Sequence, residues 1–342
     1  MARFAAAVVT KLNASEFSEG TLESLYSDLE GYLFDYRAIP FELTIDLWHV
    51  RFDNLPIALP SNAAIRQVSD DEREQFVESR SLAPATSPIQ DSDVPVFLFE
   101  TNGTLGDVFG KAPHTDSFDH FRIRSYAKGL GDRLLLGLRL LGGVEVELDK
   151  VRISWGNQLI GAQSFELDGP FSVHRRYLVE SIPDFELSEG DVERLRAIWP
   201  FISRTSGKKY KTLALAIGRF QSSFQRNTLI DRFIDQWIAI EALFGEDGPE
   251  ATHRMCQLLA MHIGRDAEDS WTIFRKAKEA YRTRSDVVHG RQLEHGTLEE
   301  QMVPVEDYLR RALLRCVQEK KKPDPGELGK ELFVRPRPST WD

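Results

Sequence analysis

The run Leu229-Ile230-Asp231-Arg232-Phe233-Ile234-Asp235-Gln236-Trp237-Ile238-Ala239-Ile240-Glu241-Ala242-Leu243-Phe244-Gly245 decides the fold of the second half of this 342-residue chain. Ile230, Phe233, Ile234, Trp237, Leu243 and Phe244 recur at steps of three and four, the period of one helix face. The spacing predicts a helix from about Thr228 to Phe244, closed by Gly245 in the left-handed conformation common after a helix. Glu241 lies four residues after Trp237 and so shares its stripe, whereas Asp235 and Gln236 fall toward the polar face. A carboxylate buried without a partner is costly, so a cation is expected beside Glu241. Arg284 is the first candidate and Arg254 the second; the alternative is that Glu241 sits at the edge of the stripe and reaches water.

Working outward, four further helices are expected. The first, Lys209 to Gln225, presents Leu213, Ile217, Phe220 and Phe224 on one face. One starts near Pro249 and ends at Gly264, and the next starts near Asp266 or Asp269 and carries Ile273, Phe274, Ala277 and Tyr281. The last follows Pro304, with Val305, Tyr308, Leu309, Ala312, Leu313 and Cys316 inward. Upstream, Ser188-Glu189-Gly190-Asp191 offers a helix start that Pro200 interrupts.

The first 185 residues mix periods. A helix is expected over Thr21–Tyr32 and an exposed one over Ser69–Arg80; Ser81–Asp93 and Asn102–Gly110 read as loops. Phe41, Leu43, Ile45 and Leu47 alternate with polar residues at strand period, and Val94–Glu100 is a compact apolar run. Arg133–Leu141 reads as a buried helix closed by Gly142-Gly143; Val144–Leu148 and Val151–Trp155 read as two strands of a meander. The fold class is α+β: an N-terminal mixed domain with antiparallel strands (1–185), a helical linker (186–205), an all-α bundle (206–322) and a Pro-rich tail (323–342) expected to be loosely ordered.

Composition excludes several classes. Cys256 and Cys316 both fall in apolar helical patterns and lack metal-ligand spacing, which suits buried thiols in a reducing cytoplasm. No secretory signal and no run of roughly 20 apolar residues is present, so neither export nor a membrane span is expected. The net charge of −10 is uneven: residues 205–342 hold 23 Lys+Arg against 21 Asp+Glu, and residues 1–204 hold 20 against 32. A general polyanion binder is therefore disfavoured, and nucleic acid would need a local patch. Lys208, Lys209, Lys211 and Arg219 in the first bundle helix supply one candidate patch; a solvated helix face explains them equally well. His49, His253, His262 and His295 are isolated and read as packed or solvated.

The chemistry-bearing segment is Tyr281-Arg282-Thr283-Arg284-Ser285-Asp286-Val287-Val288-His289-Gly290. A guanidinium and an imidazole are expected to emerge together at a helix end, with Val287 and Val288 on the face of Arg284. Histidine ordinarily titrates near neutrality, and arginine offers a fixed set of donors to phosphate oxygens. In RNA the 2′-OH can be the nucleophile, so no metal or other cofactor is required. An Arg followed by a His at loose spacing is common by chance and weighs little alone.

Three patterns in order, Arg219-Phe220, Leu229–Gly245 and Tyr281–Gly290, resemble Apea-like domains of the HEPN superfamily. The resemblance covers about 206–322, and the N-terminal part resembles nothing named. It implies a four- or five-helix unit that commonly dimerises and often acts as a metal-independent ribonuclease through an Arg-x4–6-His motif. That motif is met at x4 from Arg284 and at x6 from Arg282, with Arg284 preferred and Ser285 and Asp286 as its polar neighbours. Two copies would form one composite site: His289 as acid or base, Arg284 on the transition state, Glu241 in support, and a 2′,3′-cyclic phosphate as product. It also implies a defence or toxin effector with RNA as substrate and an N-terminal domain open to a regulatory partner or ligand. One subgroup carries a Tyr two residues after the His; here that position is Arg291, so silencing by its modification is not expected. A non-catalytic binding module and a dimerising scaffold are the competing readings.

Overall fold

The computed structural model describes residues 20, 23, 26–27, 40–52, 55–74, 95–104, 120–143, 146–155, 163–167, 185–202, 210–246, 248, 250–291 and 296–331. The chain is α+β and divides into two compact units: 1–135 with 145–192, and 136–144 with 193–342.

The first unit is built on a six-stranded antiparallel sheet in the order β3-β4-β5-β1-β6-β7: β1 Pro40–Trp48, β3 Ile57–Leu59, β4 Ala63–Gln67, β5 Phe97–Thr104, β6 Glu147–Trp155 and β7 Gln163–Leu167. Strands β2 (Val50–Phe52) and β8 (Phe185–Leu187) form a separate parallel pair. The alternation in β1 places Phe41, Leu43, Ile45 and Leu47 in the core. Asp46 is buried too, because the β1–β6 ladder slips between Ile45 and Leu47 and Arg152 donates three hydrogen bonds of 2.7, 2.8 and 2.8 Å to its carboxylate. The two expected strands around Asp149-Lys150 are one strand, β6, held extended by pairing to β1 on one side and β7 on the other. Asn102–Thr104, expected in a loop, completes β5. Residues 70–74 are helical; the rest of the expected helix over Ser69–Arg80, the loop Ser81–Asp93 and most of Thr21–Tyr32 lie outside the described residues.

Helix α1 (His120–Leu141) begins thirteen residues before the expected Arg133. Its last turn closes on Gly142 at φ +120, with the Gly143 amide donating to Leu138 O at 2.9 Å. Leu136 and Leu140, from this end of α1, belong to the core of the second unit.

The second unit adds α2 (Glu189–Ile202), α3 (Lys211–Ser223), α4 (Leu229–Phe244), α5 (Ala251–Ile263), α6 (Ala267–Val288), α7 (Thr297–Glu319) and α8 (Pro325–Glu331). Ser188 starts α2, where its Oγ and the Asp191 carboxylate share a 2.6 Å bond. Pro200 lies inside this helix rather than ending it, and Ile198, Phe201 and Ile202 join the buried core. Thr228 caps α4 by accepting from the Asp231 amide, and Asp266 caps α6 by accepting from the Asp269 amide at 2.8 Å. Helix α7 starts seven residues before Pro304, where buried Leu298 and Met302 hold its first turns across the proline. The tail is helical over Pro325–Glu331 and buries Leu328, so its first part is packed rather than loose. No helix among the described residues is long and apolar enough to cross a membrane.

Gly245 differs from expectation in kind. Its φ is −64, so it is extended rather than left-handed. A Cβ there would stand 2.4 Å from Glu241 O, so close approach is what demands glycine.

Candidate functional site

Helix α4 runs through the middle of the bundle. Phe233, Trp237, Ala239, Ile240, Leu243 and Phe244 are all buried, a stripe wider than one helix face. Asp235 and Gln236, expected on the polar side, are 2% and 0% exposed, and Ile230, expected inward, is 46% exposed. The central position of α4 explains both departures: its flank meets α3 and α7 instead of water, while its first turn projects beyond the bundle. Arg219 (2.9 Å) and Arg226 (2.5 Å) neutralise Asp235. Glu306 of α7 accepts from Gln236 Nε2 at 2.9 Å and pairs with Arg232. Nothing in one helix pattern signals the partners of Asp235 and Gln236, which lie up to 70 residues away.

On another edge of α4, Arg284 Nη2 stands 3.3 Å from Glu241 Oε1 and 3.4 Å from Oε2. Tyr281 donates its hydroxyl to the same carboxylate at 3.3 Å, and its ring packs edge-on to Trp237 at 5.2 Å. The Arg284 guanidinium lies 5.5 Å from the Tyr281 ring centre. The other candidate, Arg254, pairs with Glu246 instead. The Glu241 side chain keeps 32% of its surface exposed, so the pair forms at the edge of the stripe rather than inside it. Among the described residues only Nη2 of Arg284 is engaged, and its buried Nε lacks a partner.

Helix α6 ends in a cap with two crossed bonds. Gly290 donates to Val287 O at 3.0 Å and Arg291 to Asp286 O at 2.9 Å, with Gly290 at φ +70. A Cβ on Gly290 would meet open space, so the backbone turn is what requires glycine there. His289 is the cap residue. Its side chain is exposed and hydrogen-bonds to none of the described residues. Val287 is half-buried and Val288 is 50% exposed. Val288 is the last residue of α6, five residues past Thr283, the last of the helix to be buried.

Helix geometry separates the candidate residues. At 3.6 residues per turn Arg284 and His289 diverge by about 140° around α6, whereas Arg282 and His289 diverge by only about 20°. Arg282 is exposed and forms no ion pair among the described residues. Ser285 is half-buried, and Asp286 pairs with Arg291 at 2.7 Å. Lys211 is exposed at the start of α3, and Arg219 is engaged by Asp235. Lys208, Lys209 and His295 lie outside the described residues. Among the described residues no group of three or more His, Cys, Asp or Glu side chains could hold a metal ion.

The chain matches no protein-family model, no curated protein and no solved structure.

His253 and His262 both pack against aromatic rings. His253 packs its ring 5.0 Å from Phe274. His262 is 3% exposed, 3.7 Å from Cys316 Sγ and 5.5 Å from the Phe244 ring. Burial first, and then Arg315, holds its pKa down at about 4 instead of 6.5. Burial likewise raises the Cys256 and Cys316 thiols to about 12, which leaves them unreactive. His262 stays neutral in the fold but takes a proton on unfolding once the pH is below 6.5. Its contribution is therefore fully present above that pH and is lost progressively down to about 4, at most about 3 kcal/mol. Urea midpoints measured from pH 7 to 4.5 are expected to fall more steeply for the wild type than for His262→Met. Equal slopes would mean that His262 is not the group responsible.

Proposed function

We propose that the second unit is a HEPN-type, metal-independent endoribonuclease that cleaves single-stranded RNA. The observation carrying this reading is the end of α6: an exposed His289 on a fixed cap, engaged by none of the described residues, five residues after an Arg284 that Glu241 holds through one nitrogen while Tyr281 donates to the same carboxylate. In the proposed reaction a base removes the 2′-OH proton and the oxygen attacks the adjacent phosphorus. The P–O5′ bond breaks, and an acid protonates the departing oxygen. The products are a 2′,3′-cyclic phosphate and a 5′-OH. His289 serves as acid or base and Arg284 stabilises the phosphorane-like charge.

The divergence of Arg284 and His289 around α6 argues that one chain does not complete the site. A second copy supplies the complementary pair, and exposed Val288 gives a homodimer an apolar contact beside it. The same divergence favours the second reading, a binding module without catalysis. The remainder of the proposal rests on family analogy: a cytoplasmic defence or toxin effector whose N-terminal unit meets a regulatory partner or ligand.

The test is incubation of end-labelled single-stranded RNA with the full chain in EDTA, beside DNA of the same sequence. Cut RNA carrying a cyclic phosphate, with intact DNA, is the expected result. Uncut RNA that is nevertheless bound would point to the binding module.

A further inference from the structure

The exposed side of α6 has an order that the Arg–His motif does not account for. Ile273, Ala277 and Ala280 face the core. Opposite them, Trp271, Arg275, Lys278 and Arg282 fall within a sector of about 60°, and the same line continues to His289, about 27 Å from Trp271 at 1.5 Å per residue. Two heptad rows lie side by side, Trp271–Lys278–Ser285 and Arg275–Arg282–His289. Arg275 and Arg282 are exposed, and neither they nor Lys278 form an ion pair among the described residues. Lys278 lies 5.9 Å from the centre of the Phe274 ring.

Aromatic rings sit at the start of this line. Trp271 and Phe274 stack at 5.5 Å with 25° between their planes, and His253 of α5 meets Phe274 at 5.0 Å. All three are partly exposed. Carboxylates border one edge of the row: Glu268, Glu279 and Asp286, of which Asp286 is taken by Arg291. The central strip itself is cationic and aromatic.

Cations repeated along a line fit the phosphates of a polyanion, and flat rings beside them fit unpaired bases, which duplexes do not offer. Acidic or apolar protein partners would not need both the rings and the row of charges. We propose that this face of α6 is a binding track for single-stranded RNA, with Trp271 and Phe274 stacking a base and Arg275, Lys278 and Arg282 holding phosphates that lead to His289. The track rests on the ribonuclease reading for its substrate, and it assigns the binding to α6 rather than to the Lys208–Arg219 region.

The experiment uses the full chain and a fluorescein-labelled 2′-O-methyl oligonucleotide of mixed sequence. That probe has the phosphates and bases of RNA but no 2′-OH to attack. Anisotropy is recorded across a salt series for the wild type, the Arg275→Ala/Lys278→Ala/Arg282→Ala triple variant, Trp271→Ala, Trp271→Phe and Lys276→Ala. Lys276 is an exposed cation of the same helix that lies outside the strip. The triple variant is expected to bind at least about ten-fold more weakly and to lose about 2 from the log–log salt slope, at roughly 0.7 per phosphate contact. Trp271→Ala is expected to weaken binding at least about five-fold, on the scale of one stacked base, and Trp271→Phe to restore most of it. Lys276→Ala is expected to bind as the wild type does. No binding by the wild type, an unchanged triple variant, or a Lys276→Ala loss as large as that of the triple variant would overturn the track. Binding through this face with no cleavage of unmodified RNA removes the nuclease reading and leaves the track. Cleavage by the triple variant with unchanged KM removes the track and leaves the nuclease.

Discussion

His289→Ala is expected to slow single-turnover cleavage of unmodified RNA by on the order of 10²–10⁴-fold, the range spanned by losing a general acid or base. Arg284→Ala is expected to lower kcat by on the order of 10²–10³-fold, as when one preorganised donor to a developing anion is removed. Arg282→Ala is expected to raise KM and leave kcat unchanged, because Arg282 belongs to the exposed row while Arg284 is anchored by Glu241. The three variants separate the two spacings that the sequence leaves open. A kcat loss confined to Arg282→Ala would place the motif at x6, on the face that His289 shares. Undiminished cleavage by all three would place the chemistry elsewhere.

Trp237→Ala is expected to destabilise the second unit by about 3–5 kcal/mol, the usual range for truncating a large buried aromatic residue. Trp237 is fully buried, with edge contacts to Phe233 at 6.4 Å and Tyr281 at 5.2 Å. Its loss opens a cavity where α4 and α6 meet, directly behind the Tyr281–Glu241–Arg284 contacts. Urea unfolding followed by circular dichroism at 222 nm reads the effect. Ile230→Ala on the same helix is the control. That side chain is 46% exposed, so a change within about 0.5 kcal/mol is expected. A Trp237→Ala loss no larger than the control would mean that Trp237 does not anchor the bundle.

Helices α3, α4 and α6 are legible in the sequence because each carries its own record. Leu213, Ile217, Phe220 and Phe224 recur at helical steps and are buried, and Thr228 and Asp266 sit where caps are needed. Boundaries are less legible where an apolar face extends past a residue that reads as a breaker, as at Pro200 and Pro304. Strand β6 reads as two in the sequence because Asp149-Lys150 resembles a turn, and only its neighbours on both sides keep it extended. The burial of Asp46, Asp235 and Gln236 is not legible in the sequence, since a polar residue can enter the core only when a distant partner meets it, and that partner has no local signature.

At the candidate site the sequence by itself determined the inventory: an arginine and a histidine near a helix end, a glycine after them, and a carboxylate on the neighbouring helix that needs a cation. Local chemistry suffices for that much, because helix period and cap preference act over a few residues. Tertiary structure alone decided which cation meets Glu241, that Val288 faces outward, and that Arg284 turns into the bundle while Arg282 and His289 share the open face. Those choices depend on how helices cross, and crossing is set by packing between side chains far apart in the chain.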